Sequence, residues 1–197
     1  MEGTNPVNKK LAAALSGGAV LVLALSSCSS GDDNNDKLDA WAKQVCDAVQ
    51  PQAKKIEAAN AAIQKETSDN STPEAVRKTD AEAFQAMSDA YKAIGTAVNK
   101  AGAPNVDNGA KKQQNAVTEL NGIALSYAGL RKQVDALNIK DQAKFADGLK
   151  DIATELDKLS QSGNDALKTL EEGDVGKAMA EQDSCKAAAA STPATAS

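Results

Sequence analysis

An antiparallel up-down four-helix bundle with a short fifth helix at its C-terminal end is the all-α fold this 197-residue sequence predicts. Two observations carry that expectation. Four long segments repeat apolar residues at steps of three and four, the period of a helix with one buried face, and short polar stretches separate them. Alanine, the strongest helix former, is abundant, whereas the aromatic residues that strands favour are limited to Trp41, Phe84, Tyr91, Tyr127 and Phe145. Short connections between long helices make consecutive helices antiparallel neighbours.

The first helix begins near Asp36 and places Leu38, Trp41, Val45, Val49, Ala53, Ile56, Ala59 and Ile63 on one face. Pro51 falls inside it. Proline removes a backbone donor and crowds the preceding turn, so a kink or a split into two helices is expected there. Thr67 to Thr72 is polar and reads as a loop. Thr72-Pro73-Glu74 opens the second helix: threonine can cap it, proline suits its first turn, and glutamate suits the positive helix end. The second stripe, Val76, Ala83, Phe84, Met87, Tyr91, Ile94 and Val98, stops at Ala101-Gly102-Ala103-Pro104, a helix-ending string.

From about Asn108 to Leu137 a third helix presents Val117, Leu120, Ala124, Tyr127, Leu130, Val134 and Leu137. The fourth follows a capping Asp141 and runs through Phe145, Leu149, Ile152, Leu156, Leu159, Ala166, Leu167 and Leu170 to Gly173. A short fifth segment, Asp174 to about Lys186, carries Val175, Met179 and Cys185 on compatible turns. Residues 187–197 are alanine, serine, threonine and proline, a composition expected to stay disordered.

Ahead of the helices, Lys9 and Lys10 precede an apolar run from Leu11 to Leu25 that is too short for a comfortable membrane span. The run closes on Leu25-Ser26-Ser27-Cys28, which resembles a bacterial lipoprotein signal ending in a lipobox. That resemblance implies that residues 1–27 are a signal peptide and that Cys28 becomes the diacylglycerol-bearing first residue of the mature chain. The protein is then anchored in membrane lipid on the extracytoplasmic face of the cell membrane. Residues 28–36 read as a polar tether, 37–186 as the bundle domain and 187–197 as the tail. Asp32, Asn34 and Asp36 have the alternation of a calcium loop, but Lys37 stands where that loop needs glycine and Lys43 where it needs a bidentate glutamate, so no metal site is expected.

With Cys28 given to lipid by the resemblance, Cys46 and Cys185 remain as a matched pair that an exported chain can keep oxidised. Two separate buried thiols are the alternative. The up-down order supports the pairing, because it returns the end of the fourth helix to the level where the first begins.

Charge and residue types narrow the function. Loss of Glu2, Lys9 and Lys10 with the signal takes the net charge from −5 to −6, and an acidic surface disfavours nucleic acid and anionic lipid alike. The sequence has no histidine, which removes Ser-His and Cys-His nucleophile pairs and histidine-ligated zinc or haem. It also has no phosphate-loop string, and adjacent carboxylates such as Glu171 and Glu172 point apart on a helix. No enzymatic role and no cofactor are expected.

Trp41 is either core packing against the disulfide or an aromatic for ligand stacking at the bundle's end. On the third helix Gly122, Leu125, Ser126 and Gly129 fall opposite the apolar stripe when each residue is turned by about 100°. Each mid-helix glycine costs about 0.5–1 kcal/mol relative to alanine, so this small-residue face is a candidate partner-binding surface. A bend of the helix, or cover by another segment, is the alternative.

Over the whole chain, Leu25-Ser26-Ser27-Cys28, the stretch Trp41 to Cys46 and Asp183-Ser184-Cys185 resemble small secreted lipoproteins of actinobacteria of the streptomycete kind. The resemblance implies location and helical fold, without a reaction. The function expected first is a non-catalytic helical interaction or scaffold module facing an unknown envelope protein. The second is a ligand- or signal-sensing bundle with a pocket near Trp41 or Tyr127.

Overall fold

Apolar spacing of three and four residues folds as helix throughout the computed structural model, which describes residues 32–66, 71–162 and 165–190. The helices are α1 (Asp32–Glu66), α2 (Pro73–Ala101), α3 (Gly109–Asp135), α4 (Gln142–Ser162), α5 (Asp165–Glu171), α6 (Asp174–Glu181) and α7 (Asp183–Ala190). Among the described residues there is no strand, so the fold is all-α, built from seven helices instead of five.

Each departure from the predicted boundaries has a local cause. α1 starts at Asp32, inside the segment expected to be tether. Asp36 falls near its start, where the helix dipole favours negative charge, and Asn34 accepts a 2.8 Å hydrogen bond from Asn105. Pro51 sits in α1 without splitting it. The proline is exposed, and α1 is buried on both sides of it, at Val45 and at Ala59. Packing of that kind outweighs the roughly 3 kcal/mol propensity cost of proline.

The predicted fourth helix is described in two parts, α4 and α5, with residues 163–164 between them outside the described residues. The predicted fifth helix is also two, parted at Gln182, whose backbone is extended (φ −77°, ψ 126°). α7 continues to Ala190, so alanine's helix propensity orders residues that were expected to belong to a disordered tail. Residues 191–197 lie outside the described residues.

The remaining ends follow the sequence signals. Thr72 Oγ1 accepts from the Ala75 amide at 3.2 Å, and Asp141 Oδ1 accepts from the Lys144 amide at 3.2 Å. Gly102 closes α2 at φ 77°, a conformation that costs a glycine little. Asn108 makes the left-handed turn (φ 58°) into α3.

Two apolar clusters form the core. In the first, Leu38, Trp41, Ala42 and Val45 of α1 meet Val98 of α2, Ala116 and Leu120 of α3, Leu170 of α5, and Val175 and Ala178 of α6. The second joins Ala59 of α1 to Ala81, Ala83, Phe84 and Met87 of α2, Leu130 and Val134 of α3, and Ile152 of α4. α2 returns along α1: Nε1 of Trp41, near the start of α1, donates at 2.8 Å to the carbonyl of Gly102, just past the end of α2. α2 and α3 approach closely at Gly95, where a Cβ would lie 3.3 Å from that of Leu120. Nearby, Ser88 Oγ donates to the Ala124 carbonyl at 2.7 Å. α4 and α5 pack on α3, and α6 and α7 on α1.

Cys46 and Cys185 stand with their sulfurs 2.08 Å apart and join α7 to α1 across 139 residues of sequence. Ser184 Oγ donates to Asp47 beside the bridge. Lys43, also bonded to Asp47 at 2.7 Å, and Ser184 hold that carboxyl below its ordinary range.

Candidate functional site: an apolar cavity beside the disulfide

The stripe of α1 does not close completely on its neighbours. Val45, Val49 and Ala53 stand one helical turn apart along α1, and Tyr91, Ile94 and Val98 make a matching line on α2. Between these lines and the C-terminal helices lies a half-open cavity of about 740 Å³, in whose floor Val45 and Val98 are almost fully buried. Leu167, Leu170 and Glu171 of α5 wall one part of it, Gly176, Met179 and Ala180 of α6 another, and Cys185, Lys186 and Ala188 of α7 the rest. The lines extend about 12 Å along α1 and about 10 Å along α2 at 1.5 Å per residue, so the space runs lengthwise with the helices.

Three polar groups belong to this lining. Tyr91 stacks on Tyr127, with ring centroids 5.6 Å apart and planes within 9°. Burial pushes the Tyr91 phenol above its ordinary range, and burial together with Tyr91 pushes Tyr127 up to about 12. The Tyr91 hydroxyl has no hydrogen-bond partner among the described residues. Glu171 keeps an exposed edge, yet desolvation raises its carboxyl above the usual carboxylate range. Lys186 is already engaged: its Nζ donates to the Glu181 carbonyl at 3.0 Å and lies 3.3 Å from Asp183 Oδ1.

The expected site residues are distributed differently from the prediction. Leu25, Ser26, Ser27 and Cys28 lie outside the described residues. Cys46 and Cys185 come together, and Cys185 also lines the cavity. Trp41 is core, 6 % exposed and tied to Gly102 through its indole N–H. The cavity therefore opens beside Tyr91, with Tyr127 stacked on that ring, instead of at Trp41.

On the third-helix face Gly122, Leu125 and Ser126 are exposed, and a Cβ at Gly122 or Gly129 would meet open space. Leu125 is 74 % exposed, and Gly122 beside it faces open space. Ser126 bonds back to the Gly122 carbonyl at 3.1 Å. Together with Gly129 it borders a separate hollow of about 340 Å³ against Glu155, Lys158 and Leu159 of α4. A further shallow hollow between α2 and α3 is lined by charges of both signs, among them Arg131 and Asp135 at 3.4 Å, which leaves little net field to recognise a charged ligand.

The residues that sequence reasoning missed as a site are the stripe residues Val45, Val49, Ala53, Ile94 and Leu167, which read as ordinary core. Small residues along the lining, Ala53, Ala180 and Ala188, were the available signal. The chain matches no family model, no curated protein and no solved structure with which it was compared.

Proposed function

We propose that the chain is a lipid-anchored, non-catalytic binding module on the extracytoplasmic face of a cell membrane, and that it holds a small apolar ligand among its helices. The observation that supports ligand binding is the cavity of about 740 Å³, whose apolar walls carry few polar groups. Ligand sites have that character and commonly span about 300–1,000 Å³. In this reading α4 and α5 together take the fourth position of an up-down bundle, and α6 with α7 forms a strap that covers the cavity.

Anchoring rests on the sequence from Lys9 to Cys28. Among the described residues no helix is long and apolar enough to cross a membrane, and acyl chains on Cys28 would supply the attachment. A Cys28→Ser variant should lose the acyl mass on its N-terminal peptide and leave the membrane fraction. Retention of both would end the lipoprotein reading. For the cavity, a thermal-shift screen of apolar small molecules should yield compounds that raise the melting temperature in proportion to the logarithm of their concentration.

One observation favours a second reading, an envelope protein docked on α3: Leu125 stands 74 % exposed beside a glycine with open space above it. A photo-crosslinker at Leu125 in intact cells should then give a discrete adduct that disappears when Gly122 is made bulky.

A further inference from the structure

Among the described residues two polar side chains are buried in the core, Ser88 and Asp80. Ser88 spends its hydroxyl on the Ala124 carbonyl. Asp80, in α2 and only 8 % exposed, has no hydrogen-bond or ion-pair partner among the described residues. A buried carboxylate is costly unless a charge or donor answers it, so this one points to a partner from outside the chain.

The register of α1 against α2 supplies a second carboxylate. Trp41 stands beside Gly102, Val45 shares a cluster with Val98, and Ala59 shares one with Phe84. Equal rise along two antiparallel helices then sets Ile63 level with Asp80, and Glu66, the last residue of α1, about 4.5 Å further along the axis. Glu66 is half-buried, and its charge acts on Asp80. The C-terminal end of α1 adds the partial negative charge of its helix dipole. The nearby cations are turned to other uses: Lys65 is exposed, Arg77 lines the hollow between α2 and α3, and Lys78 lies 3.9 Å from Glu82.

A half-buried and a buried carboxylate at the negative end of a helix make a site for a cation, and their oxygens select a hard one. Calcium binds carboxylates singly or in pairs, tolerates irregular geometry and completes its shell with water, whereas magnesium demands a near-ideal octahedron. We infer that Asp80 and Glu66 together hold one calcium ion where α1 ends against α2. With two protein carboxylates the site is weak, and a dissociation constant of about 10⁻⁴–10⁻³ M is expected.

Both core clusters and the disulfide lie between Leu38 and Ala188, so a chain of residues 29–197 carries the whole described fold. Equilibrium dialysis of that chain against radioactive calcium, in chelator-treated buffer at neutral pH, should give saturable binding of one ion per chain. Calcium at about 10 mM should raise the melting temperature by about 3–10 °C over potassium chloride of equal ionic strength.

Asp80→Asn keeps the shape of the side chain and should lose both the ion and the shift, with the helical signal retained. Glu66→Gln, at a half-buried position that folding tolerates, should weaken binding about tenfold and keeps the test decisive if Asp80→Asn does not fold. Asp39→Asn, exposed near the other end of α1, should bind as the wild type does. Equal or tighter binding of magnesium overturns calcium while leaving the pair as a cation site. Absence of binding, wild-type binding by folded Asp80→Asn or by Glu66→Gln, or an equal loss in Asp39→Asn, which marks diffuse attraction to an acidic surface, overturns the site itself.

Discussion

Asp80 offers the sharpest test of how this fold is held together. It lies in α2 only 8 % exposed, with no hydrogen-bond partner among the described residues and with Glu66 as a like-charged neighbour. Desolvation first, and Glu66 second, push its carboxyl up to about 6 from an ordinary 3.8. The folded state therefore holds the proton more tightly than the unfolded chain does. The stabilising effect of that proton is complete below pH 3.8 and is lost as pH rises through about 6. At neutral pH the ionised group costs about 3 kcal/mol on that shift, reduced to about 2 kcal/mol by water that reaches the carboxyl.

Asp80→Asn keeps the shape and removes the charge. Because a buried amide also loses hydration, the expected gain at pH 7.5 is about 1–2 kcal/mol. With a urea slope near 2 kcal/mol/M, the unfolding midpoint should rise by about 0.5–1 M. Trp41, the sole tryptophan and buried, reports the transition by fluorescence. At pH 4 the variant and the wild type should differ by less than about 0.5 kcal/mol, since Asp80 is then largely protonated in the fold. A variant no more stable at pH 7.5, or one that gains equally at both pH values, would refute the account of Asp80 as a buried charge without a partner among the described residues.

Other substitutions test the packing. Reducing the Cys46–Cys185 bridge releases a 139-residue loop, worth about 5 kcal/mol on the chain-entropy model, and should lower the melting temperature by about 10–20 °C in circular dichroism. Gly122→Ala and Gly129→Ala meet open space and should each stabilise by about 0.5–1 kcal/mol, whereas Gly95→Val should destabilise by about 1–3 kcal/mol because it forces α2 from Leu120. Denaturant titration separates the two signs. Ser88→Ala leaves the Ala124 carbonyl without its buried donor and should cost about 1 kcal/mol in the same titration.

The helices were legible wherever a local signal decided them. Thr72 and Asp141 cap as their side chains predict, and the string at Ala101 to Pro104 ends α2. The break at Gln182 was hidden because apolar spacing carries across it, from Met179 to Cys185. A stripe records which face is buried, but it does not record whether the backbone continues between two buried residues. Asp80 was legible in principle: the second stripe has a gap between Val76 and Ala83, and the helical period puts this carboxylate in it. The cavity was not legible, because lining and core residues share one pattern and differ only in how much side-chain volume faces them from other helices.

That volume deficit has a structural origin in the C-terminal segment. A continuous fifth helix with large residues toward α1 would fill the groove between α1 and α2. The chain instead lays down two eight-residue helices, α6 and α7, each too short to be stable alone, with small residues, Ala180 and Ala188, beside the space. α6 is held on α1 by Val175 and Ala178, both buried in the first cluster. α7 packs on α1 with Ala188 buried, and Cys185 adds a covalent attachment to it. A disulfide can fix a short helix at a chosen distance without filling the room beneath it, which side-chain packing cannot do. The bridge thus reinforces at Cys185 a contact that α7 already makes with α1, at the edge of the cavity that Cys185 lines.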